Sequence, residues 1–339
     1  MHESDAHSTP PEPTSALSRR ELLALSGSWG AHLMLISALG SVPARRLLAK
    51  EKIAASKPWG RLEEIGEGIW AVVSTPLAED DWTTLCNGGL VAGKERTLAI
   101  DAYARPAGAA WVGGLARELA GRWPTDVVIT HYHGDHVNGL AGFLTAEKPR
   151  PRVWITATTL ELVRQADAES DAEPDPARSE MLEQVTLITT DEPTEIDLGG
   201  RKVRIHPRSG HTASDVTVEL DEPSVVFFGD LVWNRMFPNY RDATPSALSR
   251  SVRATLRKRP TVNVPGHGPL ADAAALADYL VMIDDIEAAA RRAYEQGIPA
   301  AEAAKKYRLP EGVADWTLFR DRYFEVAISA WYRELAGKA

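Results

Sequence analysis

Short apolar runs parted by turn residues dominate the first 270 positions. Ile69 to Thr75, Leu85 to Ala92 and Arg96 to Ile100 are β-rich runs separated by Gly, Asp and Lys, which predicts consecutive strands. Ala107 to Arg122 carries apolar residues at helical spacing and stops before Trp123-Pro124, so it predicts a helix. Asp126 to Thr130 reads as a compact buried strand, and Arg152 to Thr156 as another. Val203 to His206, Val216 to Leu220 and Val225 to Phe228 predict three more. Residues 271–294 and 315–337 are long helical patterns, and the late aromatics Trp316, Phe319, Tyr323, Phe324, Trp331 and Tyr332 lie at near-helical spacing within the second. They are expected to serve as core or dimer contacts rather than to face a substrate. Between 161 and 198 twelve acidic residues and two arginines suggest a solvated helical surface with loops. Interleaved strands and helices followed by helices alone imply an α/β (α+β) domain with a helical C-terminal extension packed on it.

The first 44 residues break this pattern. Residues 1–17 are polar and rich in proline, and Arg19-Arg20 then precedes a stretch from Leu22 to Ala44 without Asp, Glu, Lys or Arg. Paired arginines before a weakly apolar run, closed by Val42-Pro43-Ala44, resemble a twin-arginine export signal. The expectation is a signal over 1–44, transient contact with export machinery and a periplasmic or secreted product, or a membrane-anchored one if the segment is uncleaved. Residues 45–61 are expected to be a linker, 62–270 the main domain, and 271–339 the extension.

Composition narrows the chemistry. Lys plus Arg is 38 and Asp plus Glu 47, for a net charge of −9. An acidic chain without a basic run lacks the clustered cations that nucleic-acid phosphates require. A single cysteine, Cys86, excludes an intramolecular disulfide framework and a cysteine-rich zinc module. Cys86 is expected to be buried in a strand rather than to act as a nucleophile.

The histidines carry the signal. Six of the nine lie beyond residue 44, and five of those six fall in three motifs. His131-Tyr132-His133-Gly134-Asp135-His136 directly follows the strand ending at Thr130. Three imidazoles and a carboxylate are costly to pack together unless a cation orders them. If the strand continues briefly, His131 and His133 point the same way. Gly134 then lets the chain turn, so that Asp135 and His136 face a neighbouring point. This arrangement suits two metal ions side by side. Gly210-His211-Thr212, Phe228-Gly229-Asp230 and Pro265-Gly266-His267-Gly268 each close a predicted strand with a further ligand type.

These motifs, in this order, resemble the metallo-β-lactamase-fold hydrolase superfamily over roughly residues 62–270. The resemblance implies a four-layer αββα sandwich with the metals at one edge. It implies that His131, His133 and His211 hold one metal, that Asp135, His136 and His267 hold a second, and that Asp230 bridges them. Nitrogen and oxygen donors suit two Zn²⁺, with Fe or Mn compatible by ligand type. Two such ions share a hydroxide and clamp both ends of a displacement, with Asp135 orienting the water or taking its proton. The expected activity is cleavage of a small ester, lactone, thioester or amide, and the alternative is a β-lactamase. Asp230 resembles the thioesterase and lactonase branches, since one lactamase subclass has cysteine there and another serine. A metal-holding accessory protein without catalysis is the contrasting class, and the complete ligand set argues against it. Trp82, Trp233, Arg235 and Tyr240 are the candidate substrate-binding residues. The C-terminal helices are a possible surface for pairing two chains.

Overall fold

The computed structural model describes residues 52–74, 81–145, 149–257, 259 and 261–337. The expected export signal over 1–44 and residues 45–51 of the expected linker lie outside them. Among the described residues no helix is long and apolar enough to cross a membrane.

Two sheets form the centre. The first has eight strands in chain order: β1 (Lys52–Lys57), β2 (Gly60–Gly66), β3 (Ile69–Ser74), β4 (Gly88–Ala92), β5 (Thr97–Ile100), β6 (Asp126–Val128), β7 (Arg152–Thr156) and β8 (Val185–Ile188). Neighbours are antiparallel from β1 to β5 and parallel from β5 to β8. The change of sense follows from the connections. Hairpins join β1 to β2 and β2 to β3, whereas β5 reaches β6 through helix α1 (Pro106–Ala120), and a parallel return needs such a crossover. The β2–β3 hairpin turns on Glu67-Gly68, with Gly68 at φ +69°, where a side chain is disfavoured.

The second sheet runs β14-β12-β11-β10-β9, built from β9 (Thr194–Asp197), β10 (Lys202–Arg208), β11 (Asp215–Leu220), β12 (Val225–Phe227) and β14 (Val262–Val264). Only the β12–β14 pair is parallel. A small parallel pair, β13 (Met236–Phe237) with β15 (Thr317–Leu318), lies apart from both.

Strand alternation sorts side chains into layers. Ile69, Ala71 and Val73 of β3 pack with Leu98, Val128, Val203, Val218 and Phe227 in one buried cluster between the sheets. Trp70 and Val72, on the opposite face of β3, join Val112 and Leu115 of α1, Leu160 and Val163 of α3 (Ala157–Ala168) and Met181 of α4 (Pro176–Glu183). The outer face of the second sheet is covered through Val226 by α5 (Pro245–Ala254), α6 (Ala273–Glu295), α7 (Ala300–Lys306) and α8 (Tyr323–Leu335). The architecture is therefore the expected αββα sandwich; the outer face of the second sheet is apolar at Val226 but polar along β10 and β11, where Arg204, His206, Thr217 and Glu219 stand.

Two boundaries differ from expectation. The linker assigned to 45–61 contains β1 and the start of β2; β1 is an edge strand whose side chains are largely exposed, so it lacks an apolar signature. The acidic stretch 161–198 contains helices, as expected, but also β8 and β9, each with one buried residue, Ile188 and Ile196. The C-terminal helices share their core with the segment after Asp230, and residues 51–339 form one compact unit with no division at 270.

Candidate metal centre

The histidine motif begins where β6 ends. Thr130 is pinned by Asp101, whose Oδ1 accepts its backbone N–H at 2.8 Å and whose Oδ2 accepts its hydroxyl at 3.0 Å. A four-residue helix, α2 (Gly134–Val137), follows, with His133 extended just before it. His131 and His133 therefore face one point, and the helical turn swings Asp135 and His136 toward another.

Ligand-type atoms gather in two groups. His131, His133, His211 and Asp230 form one, and Asp135, His136 and His267 the other. In the first, His133 Nδ1 lies 3.1 Å from His131 Nε2 and 2.9 Å from His211 Nε2. One ring proton cannot satisfy three nitrogens that converge in this way. In the second, His267 Nε2 lies 3.3 Å from Asp135 Oδ2.

Asp230 stands between the groups. Its Oδ2 is 3.3 Å from His211 Nε2 and 3.8 Å from His131 Nε2, while its Oδ1 is 3.1 Å from His136 Nε2 and 3.3 Å from His267 Nε2. Each oxygen serves one group. His136 Nε2 and Asp230 Oδ1 are buried without a hydrogen-bond partner. Buried polar atoms are rarely left this way, and a cation between them satisfies both. The donor set and its orphaned atoms fit two borderline divalent ions such as zinc.

The electrostatics differ between the groups. Burial lowers both His267 and His136, but Asp230 and Asp135 bring His267 up to about 9, and the groups around His136, Asp101 and Asp230 among them, hold it well above the ordinary range, so metal there displaces a proton from each ring. Burial pushes His131 well below the ordinary imidazole range and His211 down to about 3, so both are neutral, the form that binds metal. Burial alone raises Asp135, but His136 and His267 bring its carboxyl down to about 2. Burial likewise opposes ionisation of Asp230, and His267, His136 and His211 overcome it, holding the group well below the usual carboxylate range.

Surrounding residues fix the rings. Asp101 Oδ2 lies 2.8 Å from His136 Nδ1, on the ring edge opposite the metal-facing Nε2. Asp242 Oδ2 lies 2.9 Å from His133 Nε2 and also accepts the Tyr132 hydroxyl at 2.8 Å. Asp215 accepts the backbone N–H groups of His211 and Thr212. Asn87 donates to the carbonyls of Pro265 and Gly268 and so clamps the loop that carries His267. Sequence reasoning missed all four. Asp101 directly follows a predicted strand, and that strand-end position was the one signal available.

Asp101→Asn is expected to weaken binding at the Asp135–His136–His267 group by about 10- to 100-fold, the usual cost of losing an outer partner of a ligating histidine. Chelator competition resolves this. Equal loss at both groups, or none, contradicts the assignment.

The substrate candidates divide. Trp82 is exposed, 40%, in the segment entering β4, and residues 75–80 before it lie outside the described residues. Trp233 packs against His267 with ring centroids 4.1 Å apart and ring planes tilted by 47°. Tyr240 differs from expectation. Arg235 pairs with Asp315 at 2.6 Å, and Tyr240 is fully buried in the helical core beside Phe237. A buried ring cannot meet a substrate. Cys86 is buried as expected, but in the loop before β4, where its thiol donates to the Asp135 carbonyl. Burial pushes that thiol up to about 12, which removes it as a nucleophile.

Comparisons with known proteins agree with this geometry. A family model for the metallo-beta-lactamase superfamily matches residues 85–267. Over 261 residues the chain is 25% identical to the metallo-beta-lactamase type 2 of Bacillus cereus, covering 73% of this chain and 92% of that protein. Over 138 residues it is 30% identical to a hydroxyacylglutathione hydrolase of Rhodopseudomonas palustris, covering 41% of this chain and 44% of the other. The sec-alkylsulfatase Pisa1 from Pseudomonas sp. shares the fold, with a TM-score of 0.62 at 18% identity over 82% of this chain and 50% of its own.

Proposed function

Because the chain belongs to the metallo-β-lactamase superfamily of metal-dependent hydrolases, we propose that it holds two zinc ions and cleaves a small ester, lactone, thioester or amide. The observation that carries this reading is the division of the Asp230 carboxylate, one oxygen toward each histidine group. His131, His133 and His211 would hold one ion, and Asp135, His136 and His267 the other. Bound there, such ions lower the pKa of a coordinated water to about 7 and polarise a scissile carbonyl.

The chain's own residues supply the rest. Asp135 remains a carboxylate across the neutral range, and it orients the attacking water and accepts its proton. Asp101 and Asp242 hold His136 and His133 in the tautomers that present a lone pair to the centre. Trp233 walls the His267 side and excludes water there. The Arg19-Arg20 segment supports export to the periplasm or beyond, and the absence of a basic run supports a small-molecule substrate over nucleic acid. Pairing of two chains through the C-terminal helices is the assembly this reading allows.

A second reading, hydrolysis of β-lactams, is favoured by the similarity to the Bacillus cereus protein across most of both chains. Asp230 stands against it.

The test is one assay on zinc-loaded protein with metal counting. It compares a chromogenic cephalosporin with ester, thioester and lactone panels. Two metals per chain with acyl turnover, reduced at least about 100-fold by Asp135→Ala, are expected. Cephalosporin turnover with kcat/KM above about 10⁴ M⁻¹s⁻¹ would establish the second reading instead. Protein that takes up no metal would defeat both.

A further inference from the structure

The C-terminal helices do more than cover the second sheet. β15 lies parallel to β13, and Thr317 donates its backbone N–H to the Arg235 carbonyl at 3.1 Å. The extension is thereby anchored on the segment that leaves Asp230. From β15 the chain turns through Phe319, Arg320, Asp321 and Arg322 into α8, and the turn is closed by Tyr323 N–H to the Arg320 carbonyl at 3.0 Å. Tyr323 stands at its inner end, edge-on to Trp233 with ring centroids 6.2 Å apart. Trp233 in turn packs against His267. A single indole therefore separates Tyr323 from a ligand ring.

The Tyr323 residue is only 8% exposed, yet its hydroxyl makes no hydrogen bond with a described residue and is absent from the fully buried polar atoms that lack partners. The ring is packed and its polar tip is wet. Burial raises its pKa most, and Asp230 and Asp135 raise it further. Arg320 and Arg322 act on the same hydroxyl in the opposite direction, are exposed, and form no ion pair with a described residue. Arg320 is held over the Phe319 ring at 5.3 Å.

We infer that the turn 319–323 is a wall of the substrate cleft. The Tyr323 hydroxyl donates a hydrogen bond to the substrate there, and Arg320 and Arg322 select acyl substrates that carry a carboxylate or comparable anionic group. A phenol donor beside two unpaired guanidiniums is a recognition set for a charged acyl chain. This inference rests on the hydrolase reading above. It adds a role for the Tyr323 hydroxyl to the packing expected of the late aromatics.

The test uses two activated esters that differ in one terminal group, p-nitrophenyl valerate and mono-p-nitrophenyl glutarate, with zinc-loaded full-length protein. The parent is expected to prefer the carboxylated ester. Tyr323→Phe, which keeps the ring, is expected to lower kcat/KM about 10- to 100-fold, the scale of one lost donor, at unchanged metal content and melting temperature. Arg320→Gln with Arg322→Gln is expected to reduce the preference about 5-fold, as exposed charge contacts allow, through KM for the carboxylated ester alone. Calorimetric binding of glutarate is expected to weaken in parallel. An active parent whose constants are unchanged in both variants overturns this inference and leaves the hydrolase reading standing. A parent that turns over neither these esters nor the wider panel removes both. If Tyr323→Phe loses metal or stability, the double arginine variant decides: a retained preference overturns the inference, and a lost one sustains it.

Discussion

Replacing Asp230 by asparagine is expected to cut the bound metal from the proposed two ions per chain, one for each candidate ligand group, to one or none. Activity should fall by more than the roughly 100-fold that marks the loss of an outer partner. The argument is geometric. Asp230 is 4% exposed, and it gives one oxygen to the His131–His211 side and the other to the His136–His267 side. The amide has nearly the same shape, so packing survives. One of its two positions becomes an NH₂ with no lone pair to offer, however the side chain is turned. The full negative charge that offsets two dications is also lost. The stabilisation that metal confers on the folded state should shrink with it, because a ligand that binds only the native chain contributes about 2.7 kcal/mol at a hundred times its Kd. Metal counting, and melting curves with and without chelator, check both parts. An Asp230→Asn protein that retains two ions and the parent's chelator-sensitive melting shift would show that the carboxylate is not shared.

The ligands were legible because imidazoles crowded at the end of a buried strand are costly without a cation to order them. His131, His133 and His136 sit within six residues, and His211, Asp230 and His267 each follow a β-rich run with glycine alongside. The sheets were legible where strands are buried on both faces, as in β3 to β6, since such strands read as continuous apolar runs. β1, β8 and β9 were not, because they are short or exposed strands that show water most of their side chains. Asp101 and Asp242 act on rings 35 and 109 positions away in sequence. An isolated aspartate carries no spacing signal, so only the folded chain identifies such partners. Tyr323 was placed correctly as far as spacing allows. Its helical spacing with Ala327 and Trp331 correctly places its ring in the core, but periodicity does not say which neighbour the hydroxyl reaches. Tyr240 shows the converse: its nearness in sequence to Asp230 suggested the site, and the chain turned it inward.

The second large effect is expected at a residue that ligates nothing. Gly266 precedes His267, and a Cβ built on it would stand 2.0 Å from Asp230 Oδ1 and 2.7 Å from the Gly229 carbonyl carbon. Both approaches lie far inside van der Waals contact, so something must move. The backbone of Gly266 is poorly placed to do so. Its N–H donates to the Val232 carbonyl at 2.9 Å, and its own carbonyl accepts from Asn87 at 2.7 Å. Gly229 is also fixed, because it occupies φ +52° beneath Thr130. The Asp230 side chain is the part free to yield, and yielding swings Oδ1 away from His136 and His267. Gly266→Ala should therefore cost about 1–3 kcal/mol as overpacking. It should also abolish tight binding at the Asp135–His136–His267 group while the three histidines of the other group keep their positions. Metal titration followed by competition with a chelator separates this from general unfolding, since the folded variant should still bind one ion per chain. If Gly266→Ala binds two ions with the parent's affinities, Asp230 Oδ1 does not need the place that the missing Cβ leaves open, and its assignment as a shared ligand fails with it.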